Sequence, residues 1–177
     1  MTRSHRSLLL GELPMEIEGV GPALIGSTEG SGLRVAIACG RFNGAVTERL
    51  LKGAIRTLLR CGVAREALSV LWVPGAFELP LAAQRLATSH RFDAVICLGA
   101  VIRGETGHYD FVASECAAGL QRVQLDTGVP VVFGVLTTDS ADQAFARAGG
   151  SVGDKGEEAA LTAVEMVDLL ARMPAAQ

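Results

Sequence analysis

One short glycine-punctuated loop carries several residues that could do chemistry together. It contains Arg103, Thr106 and His108, and it follows an apolar run at 93–100 that is typical of a strand buried on both faces. Residues 111–127, after the loop, have helical spacing. Open parallel sheets bind ligands at such strand-to-helix loops, where the helix start offers free N–H groups to an anion. The combination predicts a phosphorylated substrate and proton transfer.

The ends of the other predicted strands carry further functional groups. Phe42 follows the first strand, Glu78 begins a helix after the second, and hydroxyl groups follow the fourth. Because the carboxyl ends of parallel strands meet at one edge, we expect these groups near the Arg103 loop. Simpler explanations stay open: Phe42 could be a hydrophobic staple, Glu78 could favour the helix dipole, and Thr106 could be only an N-cap.

Two basic residues near the end of the chain are further candidates. Arg147 lies on a short predicted helix, where it could instead be a solvated charge. Lys155 lies in the glycine-rich sequence 153–156, where it could instead cap a turn. On their own these two residues do not predict a site.

Alternating strands and helices place the candidates at one edge of a sheet. Apolar runs predict strands at 33–39, 68–73, 93–100 and 129–136, and helical spacing predicts helices at 43–61, 78–89, 110–127 and about 155–171. Ser140 and Gln143 form the pattern of a capping box for a further, short helix. We therefore expect a three-layer αβα fold with a flavodoxin-like parallel sheet of four strands. An extra N-terminal strand is expected at about 22–26.

Length and composition are those of one globular domain. The chain has 177 residues, of which 49% are hydrophobic and 20% charged, and its net charge is −3. The absence of a basic cluster argues against nucleic acid as a partner, and no apolar run is long enough to span a membrane. We expect residues 1–20 to be a flexible leader with only a faint likeness to a targeting peptide, and 21–177 to be a single domain.

The four cysteines have neither metal-ligand nor disulfide-framework spacing; they are Cys39, Cys61, Cys97 and Cys116. We expect buried free thiols, with Cys61 the most exposed, and hence a cytoplasmic location. The Gly-x-Gly-x-x-Gly and Walker fingerprints are absent, which argues against NAD and ATP, and so is the Gly-x-Ser-x-Gly elbow of α/β-hydrolases.

Six motifs occur in one order between about residues 30 and 172. They are Gly-Arg-Phe-Asn at 40–43, Val-Pro-Gly-Ala-Phe-Glu-Leu-Pro at 73–80, the segment 99–110, Phe-Gly-Val-Leu-Thr at 133–137, Ala-Arg-Ala-Gly at 146–149, and the segment 153–160. In this order they resemble the 6,7-dimethyl-8-ribityllumazine synthase family of riboflavin biosynthesis. The resemblance implies condensation of 5-amino-6-(D-ribitylamino)uracil with 3,4-dihydroxy-2-butanone 4-phosphate, with release of phosphate and water and without a metal or organic cofactor.

The resemblance implies that six residues contact the pyrimidine and its ribityl chain: Phe42, Ala76, Phe77, Glu78, Phe133 and Lys155. Phe42 would stack on the ring, and Glu78 would accept hydrogen bonds from the ribityl hydroxyls. Lys155 would be a binder rather than a nucleophile, because an amine and a ketone combine to an imine without help from a protein nucleophile.

A second set would hold the phosphate, again by resemblance: Gly104, Glu105, Thr106 and Arg147. Arg147 would be a bidentate donor. Glu105 departs from the family, which often has a small or neutral residue there, so its side chain should point outward and leave only its N–H to the phosphate. His108 would be the general acid/base, with Asp110 able to orient it.

The family likeness also implies a homo-oligomer, because Phe133, Arg147 and Lys155 match residues that come from the neighbouring subunit. The smallest complete assembly would be a pentamer; a decamer or an icosahedral shell of pentamers are the other family arrangements. Two alternative functions stay open. One is a paralogue that makes riboflavin from two lumazine molecules, against which the intact phosphate loop argues. The other is a flavin-binding or shell-forming protein without turnover.

Overall fold

A four-stranded parallel sheet forms the centre of the computed structural model, which describes residues 24–174. Its strands are β1 (Val35–Gly40), β2 (Leu68–Val73), β3 (Ala94–Ile102) and β4 (Val131–Thr138), in the spatial order β2-β1-β3-β4. The interior strand β1 is buried along its whole length, and β3 is buried except for its last residue, Ile102. Uninterrupted apolar sequence suits such strands because both of their faces are covered.

Helices cover both faces of this sheet. On one face lie α1 (Gly44–Arg60) and α5 (Lys155–Arg172), and on the other lie α2 (Leu79–Ala87) and α3 (His108–Thr127). Between β4 and α5 the chain forms a short helix, α4 (Ala141–Arg147), and a small antiparallel hairpin of β5 (Ala148–Gly150) and β6 (Gly153–Asp154). Single 3₁₀ turns at Arg65–Ala67 and Ala76–Glu78 precede β2 and α2.

Alternate side chains of β1 serve two separate cores. Val35, Ile37 and Cys39 belong to the core beneath α1 and α5, and Ala36 and Ala38 belong to the core beneath α2 and α3. Successive side chains of a strand point to opposite faces, so one apolar run supports both layers of helices. The predicted three-layer αβα fold with a parallel sheet is confirmed.

The strand register brings the carboxyl ends to one edge of the sheet, where β1 and β2 end level with each other and β3 and β4 end level with each other, a few residues further on. Gly40 at the end of β1 pairs with Val73 at the end of β2, and Ile102 at the end of β3 pairs with Thr138 at the end of β4. The chain leaves β1 toward α1 on one face and leaves β3 toward α3 on the other. A crevice opens between such diverging connections, and this is where sheets of this kind bind ligands.

The observed strands and the four longer helices begin and end within two residues of the predicted bounds. The predicted capping interaction is present, since the Gln143 N–H donates to Ser140 Oγ at 3.2 Å. The hairpin of β5 and β6 was not predicted, because strands of three and two residues have no detectable period.

The expectations for the N-terminal part lie mostly outside the described residues. That applies to the flexible leader at 1–20 and to the first two residues of the extra strand expected at 22–26. The remaining residues of that segment, 24–26, are described and do not form a strand within this single chain. No helix in the described part of the chain is long and apolar enough to cross a membrane.

The cysteines are free thiols, as predicted. Cys39, Cys97 and Cys116 are buried, whereas Cys61 is partly exposed. Burial raises the pKa of Cys39 and of Cys116 to about 11, and it raises that of Cys97 further. Thiols held in this protonated form behave as small apolar side chains rather than as nucleophiles.

Candidate active site

A cleft of about 430 Å³ opens at the carboxyl ends of β1, β2 and β3. Three chain segments form its walls: Phe42 after β1, residues 74–78 after β2, and the end of β3 with the loop and helix that follow it. Seven of the predicted site residues line this cleft, namely Phe42, Ala76, Phe77, Glu78, Gly104, Thr106 and His108. The parallel sheet thus brings together residues that lie up to 66 positions apart in the sequence.

The turn after β1 presents Phe42 to the cleft. Asn43 adopts a left-handed conformation (φ 57°, ψ 41°), which asparagine tolerates better than most residues, and its Nδ2 donates to the Ala100 carbonyl at 2.9 Å. The Phe42 N–H donates to the Pro74 carbonyl at 3.0 Å. Phe42 itself is 72% exposed, so it does not pack as a hydrophobic staple. Asn43 was not among the predicted site residues, although a polar residue that tolerates the αL conformation, directly before a helix, was a signal for it.

The turn after β2 places a carboxylate beside this aromatic ring. A methyl group on Gly75 would lie 3.3 Å from Glu78 Oε2 and 3.9 Å from Phe42 Cβ, so the glycine keeps the floor between the two side chains open. Glu78 occupies the N-cap position of α2 but accepts no capping hydrogen bond. Its carboxylate has no hydrogen-bond or ion-pair partner among residues 24–174, and it is available to a ligand that offers hydroxyl groups.

The loop after β3 leads into a helix whose first N–H groups have no side-chain cap. The N-cap of α3 is Gly107, and it makes no side-chain cap hydrogen bond. Thr106 precedes the N-cap, so the alternative in which it caps the helix is wrong. A Cβ on Gly104 or Gly107 would meet no atom within 4 Å. Uncapped N–H groups beside open space suit an anion.

Two further residues of this segment differ in where they face. His108, the first residue of α3, lines the cleft and is exposed, with no side-chain hydrogen bond to other described residues. Glu105 is also exposed but is not among the residues that line the cleft. An imidazole that faces the cleft without a fixed partner can exchange protons with a bound ligand.

Arg103 is not part of the cleft wall, in contrast to the expectation of a guanidinium in an anion cradle. Its Nε donates to Asp139 Oδ1 at 3.0 Å, and its two terminal nitrogens donate to the Asp110 carboxylate at 3.3 and 3.4 Å. These hydrogen bonds, first to Asp110 and then to Asp139, raise the pKa of Arg103. Asp110 pairs with Arg103 and makes no hydrogen bond to His108, so the expected orienting contact is not present in the described chain.

Phe133, Arg147 and Lys155 lie together in a second pocket of about 510 Å³ along the edge strand β4. The Lys155 ammonium pairs with Glu158 at 2.6 Å. Arg147 donates to the Gln143 carbonyl at 3.1 Å, and no carboxylate among residues 24–174 pairs with it. Within one chain the structure therefore gathers these three residues with each other and does not bring them to the cleft.

Asp154 sets the start of α5 and with it the position of Lys155. Its buried carboxylate accepts from the Gly156 and Glu157 N–H groups at 3.0 and 3.3 Å, and Arg56 lies 3.3 Å from its other oxygen. Burial raises the pKa of Asp154, more than these N–H donors lower it. Asp154 is thus the capping residue, and Lys155 is not, contrary to the simpler explanation for this lysine.

The fold and the position of the cleft identify the class of protein. It is a flavodoxin-like α/β protein whose candidate site lies at the carboxyl ends of its parallel strands. No group of three His, Cys, Asp or Glu side chains within 24–174 is arranged to hold a metal ion. The sequence model of the 6,7-dimethyl-8-ribityllumazine synthase family matches residues 32–171, and the chain belongs to this family. The match contains every predicted site residue and both pockets, and it places the protein in a family of riboflavin-biosynthesis enzymes.

Proposed function

We propose that the protein condenses 5-amino-6-(D-ribitylamino)uracil with 3,4-dihydroxy-2-butanone 4-phosphate to 6,7-dimethyl-8-ribityllumazine, with release of phosphate and water. Both reactants are small molecules, and the reaction needs no cofactor. The observation that carries the proposal is one cleft that holds an exposed aromatic ring, an unpaired carboxylate, an uncapped helix start and an imidazole. These groups match the chemistry of the two reactants.

The pyrimidine reactant fits the side of the cleft formed after β1 and β2. The exposed face of Phe42, held by its backbone hydrogen bond to Pro74, offers a stacking surface for a planar ring. Glu78 and the backbone of Ala76 and Phe77 lie beside it, where the carboxylate can accept hydrogen bonds from ribityl hydroxyls. The support here is shape and hydrogen-bond chemistry: an aromatic plane next to an acceptor suits a ring that bears a polyol.

The phosphorylated ketone fits the start of α3. The free N–H groups of the loop at Gly104, Glu105 and Thr106 and the Thr106 hydroxyl can donate to phosphate oxygens, and the helix dipole favours the negative charge. The Glu105 carboxylate, which is not part of the cleft wall, would not oppose the phosphate there. His108, one residue beyond the N-cap, then lies beside the carbon atoms that carry the reaction.

The chemistry asks little of the protein beyond this arrangement. The amine attacks the ketone carbonyl, and one water leaves as the imine forms. A proton then leaves the neighbouring carbon, the phosphate departs, and the resulting enol becomes a carbonyl. The nitrogen that bears the ribityl chain attacks this carbonyl, and a second water leaves as the ring closes. Holding the two reactants together contributes up to about 7–11 kcal/mol of the barrier in favourable cases. His108 would take and return the protons, which typically contributes ~10²- to 10⁴-fold.

We further propose that the second pocket completes the cleft of a neighbouring subunit in a homo-oligomer, of which a pentamer is the smallest form. The support is that Phe133, Arg147 and Lys155 lie apart from the cleft within one chain, in a pocket beside the edge strand β4. Arg147 has no carboxylate partner in the described chain and offers a bidentate donor to a phosphate. A decamer or an icosahedral shell of pentamers would use the same contact. We place the protein in the cytoplasm, which suits its free thiols.

The test is a spectroscopic assay with both reactants that follows the lumazine chromophore and released phosphate. We expect product well above the spontaneous rate, with one phosphate per lumazine, and a ~10²-fold or larger loss of kcat in His108→Ala. His90→Ala is the matched control, because this exposed histidine lies in the turn before β3, away from the cleft. Wild-type protein without turnover would favour a flavin-binding or shell-forming role, and full turnover in His108→Ala would remove the acid/base role.

A further inference from the structure

Arg103 joins the end of β4 to the first turn of α3. Its backbone N–H donates to the Thr138 carbonyl at 2.9 Å, and its Nε donates to Asp139, the residue directly after β4, at 3.0 Å. The other end of the guanidinium forms two hydrogen bonds with Asp110, in the first turn of α3. One side chain therefore connects two elements that approach each other only in the folded sheet.

The same guanidinium also stacks on the ring of Tyr109. The distance between Arg103 Cζ and the ring centroid is 4.0 Å, well within the range of a cation–π contact. Tyr109 lines the cleft and directly follows His108. Arg103 thus contacts two consecutive residues of the helical turn that begins with His108, although it does not line the cleft itself.

Little else braces the segment between Arg103 and this turn. The side chains of Glu105 and Thr106 have no hydrogen-bond or ion-pair partner among the described residues, and positions 104 and 107 are glycines with open space around them. The backbone bond from the Asp110 N–H to the Gly107 carbonyl, 3.1 Å, belongs to the helical turn itself. The contacts of Arg103 therefore fix both ends of the 104–107 segment: its start, next to β4, and its end, at the first turn of α3.

We propose that Arg103 is a positioning residue, which acts through the Asp139–Arg103–Asp110 bridge and the Tyr109 stack to hold the 104–107 segment and His108 in place at the cleft. Its kinetic consequences rest on the proposed function. Arginine suits this task because its planar fork addresses both carboxylates while its face stacks on a ring; a lysine supplies a point charge that cannot do all three.

The experiment compares Arg103→Gln, Arg103→Lys and Asp139→Asn with the wild-type protein. Arg122→Gln is the matched control, since Arg122 lies exposed on α3, the helix whose first turn Arg103 contacts, and its ion pair is with Asp126 one turn away, at 3.4 Å. The readouts are kcat and the KM of each reactant, together with amide hydrogen exchange of residues 104–110. Equal protein concentrations are used throughout.

For Arg103→Gln we expect kcat/KM for the phosphorylated ketone to fall by roughly 10- to 100-fold, the effect of a misplacement of about 1 Å in a catalytic site. The KM of the pyrimidine should stay within about twofold, because its contacts lie after β1 and β2. Arg103→Lys should recover part of the loss, and Asp139→Asn should lose less, since the Asp110 contacts remain. Exchange should accelerate at 104–110 and not elsewhere.

The idea is overturned if Arg103→Gln matches Arg122→Gln in kinetics and in exchange, or if its losses accompany faster exchange throughout the protein. If Arg103→Gln does not fold, the other two variants decide, and wild-type exchange at 104–110 in both would refute the bridge. Wild-type protein without turnover would defeat the proposed function instead, and the exchange comparison would then decide the positioning role on its own.

Discussion

Gly156→Ala should loosen the contact between α1 and α5 and destabilise the protein. A Cβ on this buried glycine would lie 2.0 Å from the Leu50 carbonyl oxygen and 2.7 Å from its carbonyl carbon. The obstacle is helix backbone, which cannot rotate away as a side chain would. To reach ordinary van der Waals contact the two helices must separate locally by about 1.4 Å.

The magnitude follows from two opposing effects. Overpacking a closely packed core typically costs about 1–3 kcal/mol, and a clash with backbone belongs at the upper end of that range. Replacing glycine by alanine in a helix returns less than about 1 kcal/mol. We therefore expect a net loss of about 2 kcal/mol in the free energy of unfolding. For a chain of this size that lowers the melting temperature by roughly 4–8 °C.

Urea and thermal unfolding at matched protein concentration provide the measurement, because assembly would make the midpoint depend on concentration. Gly44→Ala is the control, since this glycine begins α1 and a Cβ there meets nothing within 4 Å. It should be neutral or slightly stabilising. Gly53→Ala should also be destabilising, because its Cβ would lie 2.2 Å from Asp154 Oδ2 and would displace the carboxylate that caps α5. A Gly156→Ala protein as stable as Gly44→Ala would refute the close approach of the two helices.

Three further predictions concern a pair at the start of the sheet, the cap of α5 and the second pocket. The hydrogen bond from Arg34 lowers the pKa of Asp93 below 3.8. The ionised carboxylate therefore stabilises the fold above that pH, and the stabilisation is lost as the pH falls through the folded-state pKa. The difference in unfolding free energy between wild type and Asp93→Asn, measured by urea unfolding, should shrink from pH 7 to pH 3. A constant difference would contradict this.

Asp154→Ala should lower the free energy of unfolding by about 1–2 kcal/mol through loss of the cap, and Asp154→Asn by less, because asparagine still accepts the N–H groups and removes a buried charge whose pKa is raised. The Asp154 charge reduces the stability of the wild-type protein as the pH rises above 3.8. The stability of Asp154→Asn relative to wild type should therefore be highest near neutral pH. Equal losses of stability in Asp154→Ala and Asp154→Asn would refute the cap. Arg147→Ala should mainly raise the KM of the phosphorylated ketone and leave that of the pyrimidine unchanged, and an unaltered ketone KM would remove Arg147 from the phosphate site.

Local sequence patterns were sufficient to predict most of the secondary structure. The uninterrupted apolar runs of β1 and β3 are characteristic of strands covered on both faces. The Ser140 cap could be predicted because Gln143 follows it at the spacing of a capping box. Asp154 could have been identified by the same rule as a carboxylate directly before a helix. The hairpin of β5 and β6 could not, because its pairing depends on glycine geometry rather than on any hydrophobic period.

The site was predictable to the extent that it depends on strand ends. Phe42, Glu78 and His108 each follow a strand, and the rule that parallel strands share a ligand-binding edge was enough to expect them in one cleft. The role of Arg103 was misjudged because its partner Asp139 lies 36 positions away in the sequence. Only the adjacency of β3 and β4, with their particular register, brings that carboxylate within reach of the guanidinium.

The sequence by itself determined the order and kind of the elements, the edge of the sheet at which the candidate site lies, and the family, because apolar period, capping residues and motif order are properties of neighbouring residues. Tertiary structure alone decided which charges meet: that Asp110 and Asp139 hold Arg103, and that Phe133, Arg147 and Lys155 gather apart from the cleft. Ion pairs and pockets form between residues distant in the chain, so their composition depends on strand order, register and helix placement, which no local pattern specifies.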